Sequence, residues 1–115
     1  MEIRKTGLWP WLLQRLSGAF LAVGLAVHLW VNPLAREPIA FSHVAGRLQY
    51  AGWFLFDLLL LAACLYHGLN GLWAILLDFN PGVSRRRAAG WLLALVGTGW
   101  LVYGTLTLIA FSLGG

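Results

Sequence analysis

Three long apolar stretches recur along the sequence, over about residues 12–31, 51–77 and 89–113. Each reaches the roughly 20 residues that an α-helix needs to cross about 30 Å of hydrocarbon. Because open strands leave backbone groups without hydrogen bonds in lipid, we expect these stretches to be transmembrane helices. The pattern therefore predicts an all-α integral membrane protein, one membrane domain over residues 1–115 that forms part of a larger helical bundle.

Helix-breaking residues separate the predicted spans. Pro33 and Pro38 follow the first span, and the segment 80–82, Asn-Pro-Gly, follows the second. Proline cannot continue a helix and glycine tolerates the turn. Between the first two spans, residues 33–50 mix apolar positions with Arg47 and Gln49, which indicates a short amphipathic helix at the membrane interface.

The composition excludes a soluble domain. Only 10% of the residues are charged and 60% are hydrophobic, whereas soluble domains carry about 25% charged residues. The lone Cys64 excludes an internal disulfide and a cysteine-ligated cluster. The net charge of +4 needs no nucleic acid, because membrane topology and anionic headgroups account for it.

Basic residues are distributed unevenly around the spans. Arg4, Lys5 and Arg15 lie at the start, Arg85, Arg86 and Arg87 lie between the second and third spans, and Arg36 and Arg47 lie in the other loop. Positive charge favours the cytoplasmic side of a membrane. We therefore expect a multi-pass protein of the cell membrane whose N-terminus and loop 78–88 are cytoplasmic.

Ionisable residues inside the spans carry the candidate chemistry, because each is costly in hydrocarbon. On the second helix, Gly71 lies one turn from His67, and Asp78 returns to within about 20° of the same face. This stripe of an imidazole, a gap and a carboxylate suits a flat ligand such as haem. The alternative is a histidine that bonds to a neighbouring helix, with the glycine easing close packing.

Other polar residues have a plainer interpretation. His28 lies near the far end of the first helix, on the face of Ser17, where it can reach headgroups or water. Asp57 lies about 80° from His67 around the second helix, and we expect it to extend to the outer interface rather than to line a proton route. His43 is expected to be a solvated surface residue. Trp73 lines a ligand pocket or simply packs between helices.

Two motifs resemble known membrane anchors. The pattern His67-x-x-x-Gly71 followed by Asp78-Phe79 resembles the second-helix signature of the membrane anchor subunits of succinate dehydrogenase. The run Arg15-Leu16-Ser17-Gly18 is similar to the Arg-x-Ser-Gly element that opens their first helix. Three spans and a cytoplasmic N-terminus fit the same family, so the resemblance covers nearly the whole chain.

The resemblance implies a set of cofactor and quinone contacts. His67 would be an axial ligand of haem b beside Gly71, and a partner anchor subunit or another helix would supply the opposite ligand. Arg15 would pair a haem propionate or a quinone oxygen, and Ser17 would hydrogen-bond the quinone. Asp78 and Trp73 complete the expected quinone pocket, with Asp78 holding a basic group or helping to deliver protons.

Two positions bear on haem count and quinone type. Phe79 stands where many anchors carry a tyrosine whose hydroxyl bonds ubiquinone, so that contact is absent. The run from His28 to Asn32 fits the His-Leu-x-x-Asn pattern of two-haem anchors. By this resemblance His28 would ligate a second haem iron at a different depth, and menaquinone is favoured over ubiquinone; a single haem on His67 is the alternative.

The family resemblance implies electron transfer with no bond-breaking on this chain alone. The chain would not be an enzyme by itself but would dock a flavoprotein subunit and an iron–sulfur subunit beside a second membrane anchor subunit, with a trimer of the whole complex as a further expectation. Electrons from succinate would then reduce quinone at the cytoplasmic side. The alternatives are the anchor of a fumarate reductase-type dihaem complex and a structural membrane protein without a cofactor.

Overall fold

A computed structural model describes residues 7–32 and 40–114. These residues form four helices and no strand: α1 (Leu8–Val31), α2 (Phe41–Leu48), α3 (Ala51–Asp78) and α4 (Val83–Ser112). Helices α1, α3 and α4 are long and apolar enough to cross a membrane. The predictions of three spanning helices and of a short helix between the first two are confirmed. Arg4, Lys5, Pro33, Arg36 and Pro38 lie outside the described residues.

Two spanning helices begin earlier than their apolar stretches. Helix α1 begins at Leu8 and α4 at Val83. In α1 the additional residues are apolar or aromatic, whereas in α4 the helix includes the polar residues 84–87. Arg85, Arg86 and Arg87 therefore lie on the first turns of α4, not in a loop as we expected. The connection between α3 and α4 is only a tight turn, in which Asn80 takes a positive φ of 49°, a conformation that asparagine tolerates.

Helix α3 is the centre of the bundle, with α1 and α4 packed against it and α2 lying across α3 and α4. Glycines set the close approach. A Cβ at Gly24 would come within 2.9 Å of Leu60, and one at Gly97 or Gly104 within 2.5 Å of Leu69 or Leu61. Small residues at such contacts allow helix backbones to approach in membranes, where the hydrophobic effect does not drive helix association.

Most of the large apolar side chains lie on the outside. The buried hydrophobic residues among those described are Leu21, Ala45, Leu48 and Leu60, and α4 buries no residue within the bundle. Such a surface would be untenable in water. It fits lipid, and the chain is a multi-pass membrane protein.

Candidate functional site

An inner polar cluster, defined as Gln14, Ser17, His67 and Asn70, joins α1 to α3. The Nδ1 atom of His67 lies 3.1 Å from the backbone oxygen of Gln14 and 3.1 Å from Ser17 Oγ. A carbonyl oxygen can only accept, so Nδ1 carries the proton and Nε2 carries the lone pair. Metal-ligating histidines are commonly held this way, with the second ring nitrogen donating to a carbonyl.

The remaining members of the inner cluster fix the two helices in register. Gln14 Nε2 donates to the backbone oxygen of His67 at 3.1 Å, and Gln14 Oε1 accepts from Asn70 Nδ2 at 2.9 Å. Asn70 Nδ2 also donates to the backbone oxygen of Pro10 at 3.2 Å. Gln14 and Asn70 were not among the predicted site residues, although an amide within an apolar span is a signal of the same kind as a histidine.

Glycines determine where the His67 ring lies. A Cβ on Gly18 would come 3.0 Å from His67 Cε1, so the ring rests against the backbone of α1. A Cβ on Gly71 would come 3.3 Å from Gln14 Nε2. The space beside Gly71, which we interpreted as room for a flat ligand, is therefore occupied by the Gln14 amide. The interhelical hydrogen bond of the alternative interpretation is present, but it uses Nδ1 and leaves Nε2 for a ligand.

An outer polar cluster, defined as His28, Asn32, Arg47 and Asp57, lies at the other end of α1. Asp57 Oδ2 accepts from Arg47 Nη2, and Asp57 Oδ1 lies 3.4 Å from His28 Nδ1. The side chains of Asp57 and Arg47 are only 6% and 8% exposed. Our expectation that Asp57 extends to the interface is wrong. Helix α2 places Arg47 over the first turns of α3, and Arg47 pairs with Asp57 there.

His28 of this outer cluster is suited to ligate iron for the same reason as His67, because its Nδ1 atom has an acceptor. An ionised carboxylate only accepts, so His28 Nδ1 donates to Asp57 and Nε2 holds the lone pair. His28 is partly exposed, with 37% of its side chain accessible. It lines a cleft of about 320 Å³ together with Asn32, Arg47 and Asp57.

The two histidines belong to separate levels of the bundle. Ser17, which contacts His67, precedes His28 by eleven residues on α1, a rise of about 16 Å. Asp57, which contacts His28, precedes His67 by ten residues on α3, a rise of about 15 Å. The two helices thus give the same separation, and the histidines are too far apart to ligate one iron.

The other predicted site residues have contacts of their own. The guanidinium of Arg15 is exposed and lies 4.5 Å above the ring of Trp11. Trp73 packs within 3.6 Å of the Cβ position of Gly90 on α4 and lines a cleft of about 460 Å³ with Arg86 and Arg87. Asp78 is the exposed last residue of α3.

His43 is exposed, as predicted, and its Nε2 donates to the backbone oxygen of Val31 at 3.0 Å. This bond ties α2 to the outer end of α1. His43 is thus a histidine without a place in either polar cluster, which makes it a useful control.

Comparison with known proteins agrees with the motifs. Residues 2–112 match the family model described as succinate dehydrogenase/fumarate reductase transmembrane subunit. A succinate dehydrogenase hydrophobic membrane anchor subunit of Thermoplasma acidophilum is 34% identical over 95 residues, which cover 81% of this chain and 77% of that protein. The protein of the same name in Archaeoglobus fulgidus is 32% identical over 98 residues, covering 83% of this chain and 84% of that protein.

A bacterial relative extends the comparison. Succinate dehydrogenase 2 membrane subunit SdhC of Mycobacterium tuberculosis is 33% identical over 92 residues, which cover 78% of this chain and 68% of that protein. The family match spans all three membrane helices and both polar clusters. The chain therefore belongs to the family of succinate dehydrogenase/fumarate reductase transmembrane subunits, as a non-catalytic membrane anchor.

Proposed function

We propose that this anchor binds haem b through His67. One observation supports this proposal above the others: Nδ1 donates to the backbone oxygen of Gln14, so the ring presents an unprotonated Nε2 on a fixed axis. Haem b, when bound, supplies one-electron transfer. A second membrane anchor subunit or another helix would supply a further ligand to the iron.

The residues of the inner cluster hold the His67 ring in place for that role. The backbone oxygen of Gln14 fixes its tautomer, Ser17 Oγ lies within hydrogen-bond distance of Nδ1, and Gly18 allows the ring to lie against α1. Electron donation by the bonded imidazole and burial in the bilayer then tune the potential of the iron.

A second haem b on His28 is part of the same proposal. Two facts support it: the separation of about 15 Å between the two histidine levels, and the Asp57 carboxylate that orients the His28 ring. Two irons at two depths would form a path for electrons across the membrane. A single haem on His67 is the alternative.

The quinone is proposed to bind at the end of the bundle that carries Arg15, Asp78 and Trp73, with menaquinone favoured because Phe79 lacks a hydroxyl. The Ser17 hydroxyl, which we expected to bind the quinone, already has a hydrogen-bond acceptor. It donates to the backbone oxygen of Gln14 at 3.1 Å, so a quinone oxygen would have to replace that acceptor. This arrangement favours a role for Ser17 in positioning the His67 ring over a role in donating a hydrogen bond to the quinone.

Membership of the family supports a proposed assembly. The anchor would join a flavoprotein subunit, an iron–sulfur subunit and a second anchor in the cell membrane, with its N-terminus cytoplasmic and a trimer of the whole complex as a further possibility for assembly. Arg85, Arg86 and Arg87, all exposed on the first turns of α4, would face the iron–sulfur subunit or lipid headgroups. Succinate oxidation takes place on the soluble subunits and quinone reduction at this anchor.

The family description supports a second candidate, a fumarate reductase-type dihaem anchor, because it includes both enzymes. The same ligands would then carry electrons in the opposite direction. The direction of turnover in the purified complex, with succinate or with fumarate as the better substrate, separates the two.

Haem content of the purified complex tests the proposal. We expect His67→Ala to lose one haem per complex in the reduced-minus-oxidised spectrum, because alanine offers no lone pair to the iron. His43→Ala is the matched control, an exposed histidine of the same chain, and should keep the full content. A His67→Ala complex with its full haem content would show that another residue ligates the iron.

A further inference from the structure

The outer cluster places a carboxylate inside a membrane helix and uses both of its oxygens. Asp57 is 7% exposed, with Oδ2 on Arg47 and Oδ1 toward His28. Burial of an ion pair rarely adds net stability, because desolvation offsets the Coulomb attraction. Stability alone is therefore a weak reason for this arrangement.

The geometry of the Arg47 guanidinium gives a sharper indication. Its Nε and Nη1 atoms are buried and have no hydrogen-bond partner among the residues that the structure describes. A bidentate pair, with two parallel bonds to one carboxylate, is the common arrangement for arginine and the stronger one. Asp57 instead makes one bond to Arg47 and turns its second oxygen to the imidazole.

We propose that Asp57 is a positioning residue for His28, and that it lowers the midpoint potential of the iron that His28 ligates. This inference rests on the proposed outer haem. The carboxylate accepts the Nδ1 proton, fixes the tautomer with Nε2 unprotonated, and orients the ring. A carboxylate partner also makes the imidazole a stronger electron donor, which stabilises the ferric state over the ferrous state.

Arg47 has the complementary role of pairing with Asp57 and holding its carboxylate in place. Its charge balances the carboxylate in a setting where an unpaired charge is expensive. The ring of Trp53, 5.3 Å from the guanidinium carbon, covers the pair from one side. The outer haem would thus have a histidine whose partner is charged, whereas His67 of the inner cluster donates to a neutral carbonyl.

Redox titration of the purified complex tests this difference. Asp57→Asn removes the charge but keeps an oxygen that can accept from Nδ1. We expect the outer haem to remain bound with a higher midpoint potential, and the inner haem to titrate as in the unaltered protein. His43→Gln, at an exposed histidine outside both polar clusters, is the control and should leave the outer potential where it was.

His28→Ala separates failure of this inference from failure of the proposed function. It should remove the outer component and so identify it in the titration; a His28→Ala complex with both haems would overturn the outer haem itself. If His28→Ala loses that haem but Asp57→Asn leaves its potential unchanged, the role of Asp57 alone is overturned.

A further variant covers the case in which Asp57→Asn loses the outer haem and keeps the inner one. Asp57→Glu restores the charge one methylene further along the side chain. Recovery of the outer haem, at a potential close to that of the unaltered protein, would support the charged partner. No recovery with the carboxylate restored would overturn it.

Discussion

His67 and Gly18 form the tightest contact at the proposed inner haem. A methyl group on Gly18 would lie 3.0 Å from His67 Cε1, closer than carbon atoms normally pack. The ring would have to move by a few tenths of an ångström, which would disturb its bonds to Gln14 and Ser17. Overpacking of this kind costs about 1–3 kcal/mol.

We therefore predict that Gly18→Ala lowers the haem content of the complex or shifts the absorption band of the inner haem. The matched control is Gly68→Ala, adjacent to His67 in sequence, where a Cβ would meet nothing within 4 Å. It should leave the spectrum unchanged and raise helix propensity slightly. Equal spectra for the two variants would show that the ring does not depend on Gly18.

At the residue scale, the sequence identifies candidate site residues whose burial in lipid is costly. It does not identify the contacts of a residue whose role depends on a partner from another helix. His28 and His67 stand out because imidazoles are rare in spans. The neighbour of Gly71 could not be inferred, because it depends on how α1 and α3 are aligned. Gln14 meets Gly71 only in that alignment, and the same alignment brings Ser17 to His67.

At the scale of helices, the position of α2 determines that the Asp57 side chain is buried. The short amphipathic helix was predictable from residues 33–50, and it is present as α2. The docking of α2 against α3 and α4 was not predictable. A pattern of apolar and polar positions identifies the apolar face of a helix but not where that helix packs on other helices. The consequence is that Arg47 reaches a carboxylate that we expected at the interface.

Removal of Arg47 should be among the most damaging single changes in the chain. Arg47→Leu leaves the Asp57 carboxylate buried without its cation, and breaking a buried pair from one side costs about 3–5 kcal/mol. Thermal unfolding of the complex in detergent measures the loss. Arg85→Leu, an exposed arginine on α4, controls for the loss of a positive charge.

The double variant Arg47→Leu/Asp57→Leu separates the two contributions to that loss. Replacing both partners with apolar side chains is often neutral or stabilising, so we expect most of the stability to return. The outer haem should still be perturbed, because His28 has lost its carboxylate. A double variant as unstable as Arg47→Leu would mean that packing of the arginine stem, and not the buried charge, holds α2 in place.

At the scale of the whole molecule, the number of spans was predictable from hydropathy alone, because lipid permits few backbone arrangements. The bundle built by α1, α3 and α4 leaves one side of α3 and most of α4 exposed. Which part of that surface meets lipid and which would meet the proposed second anchor depends on other chains. Orientation in the membrane likewise depends on the charge at the helix ends, where Arg85, Arg86 and Arg87 begin α4.

The orientation gives a prediction for intact cells. With Cys64 replaced by alanine to remove the native thiol, a cysteine at Gly82 in the turn before α4 should react with a membrane-impermeant maleimide only after lysis. A cysteine at Gly114, beyond the end of α4, should react in intact cells. The reason is that three consecutive arginines are expected to retain the α3–α4 turn in the cytoplasm, and a single spanning helix would then place residue 114 on the opposite side. Labelling of Gly82→Cys in intact cells would show that the topology is the reverse of the expected one. The proposed sites of subunit docking and quinone reduction would then lie on the other side of the membrane.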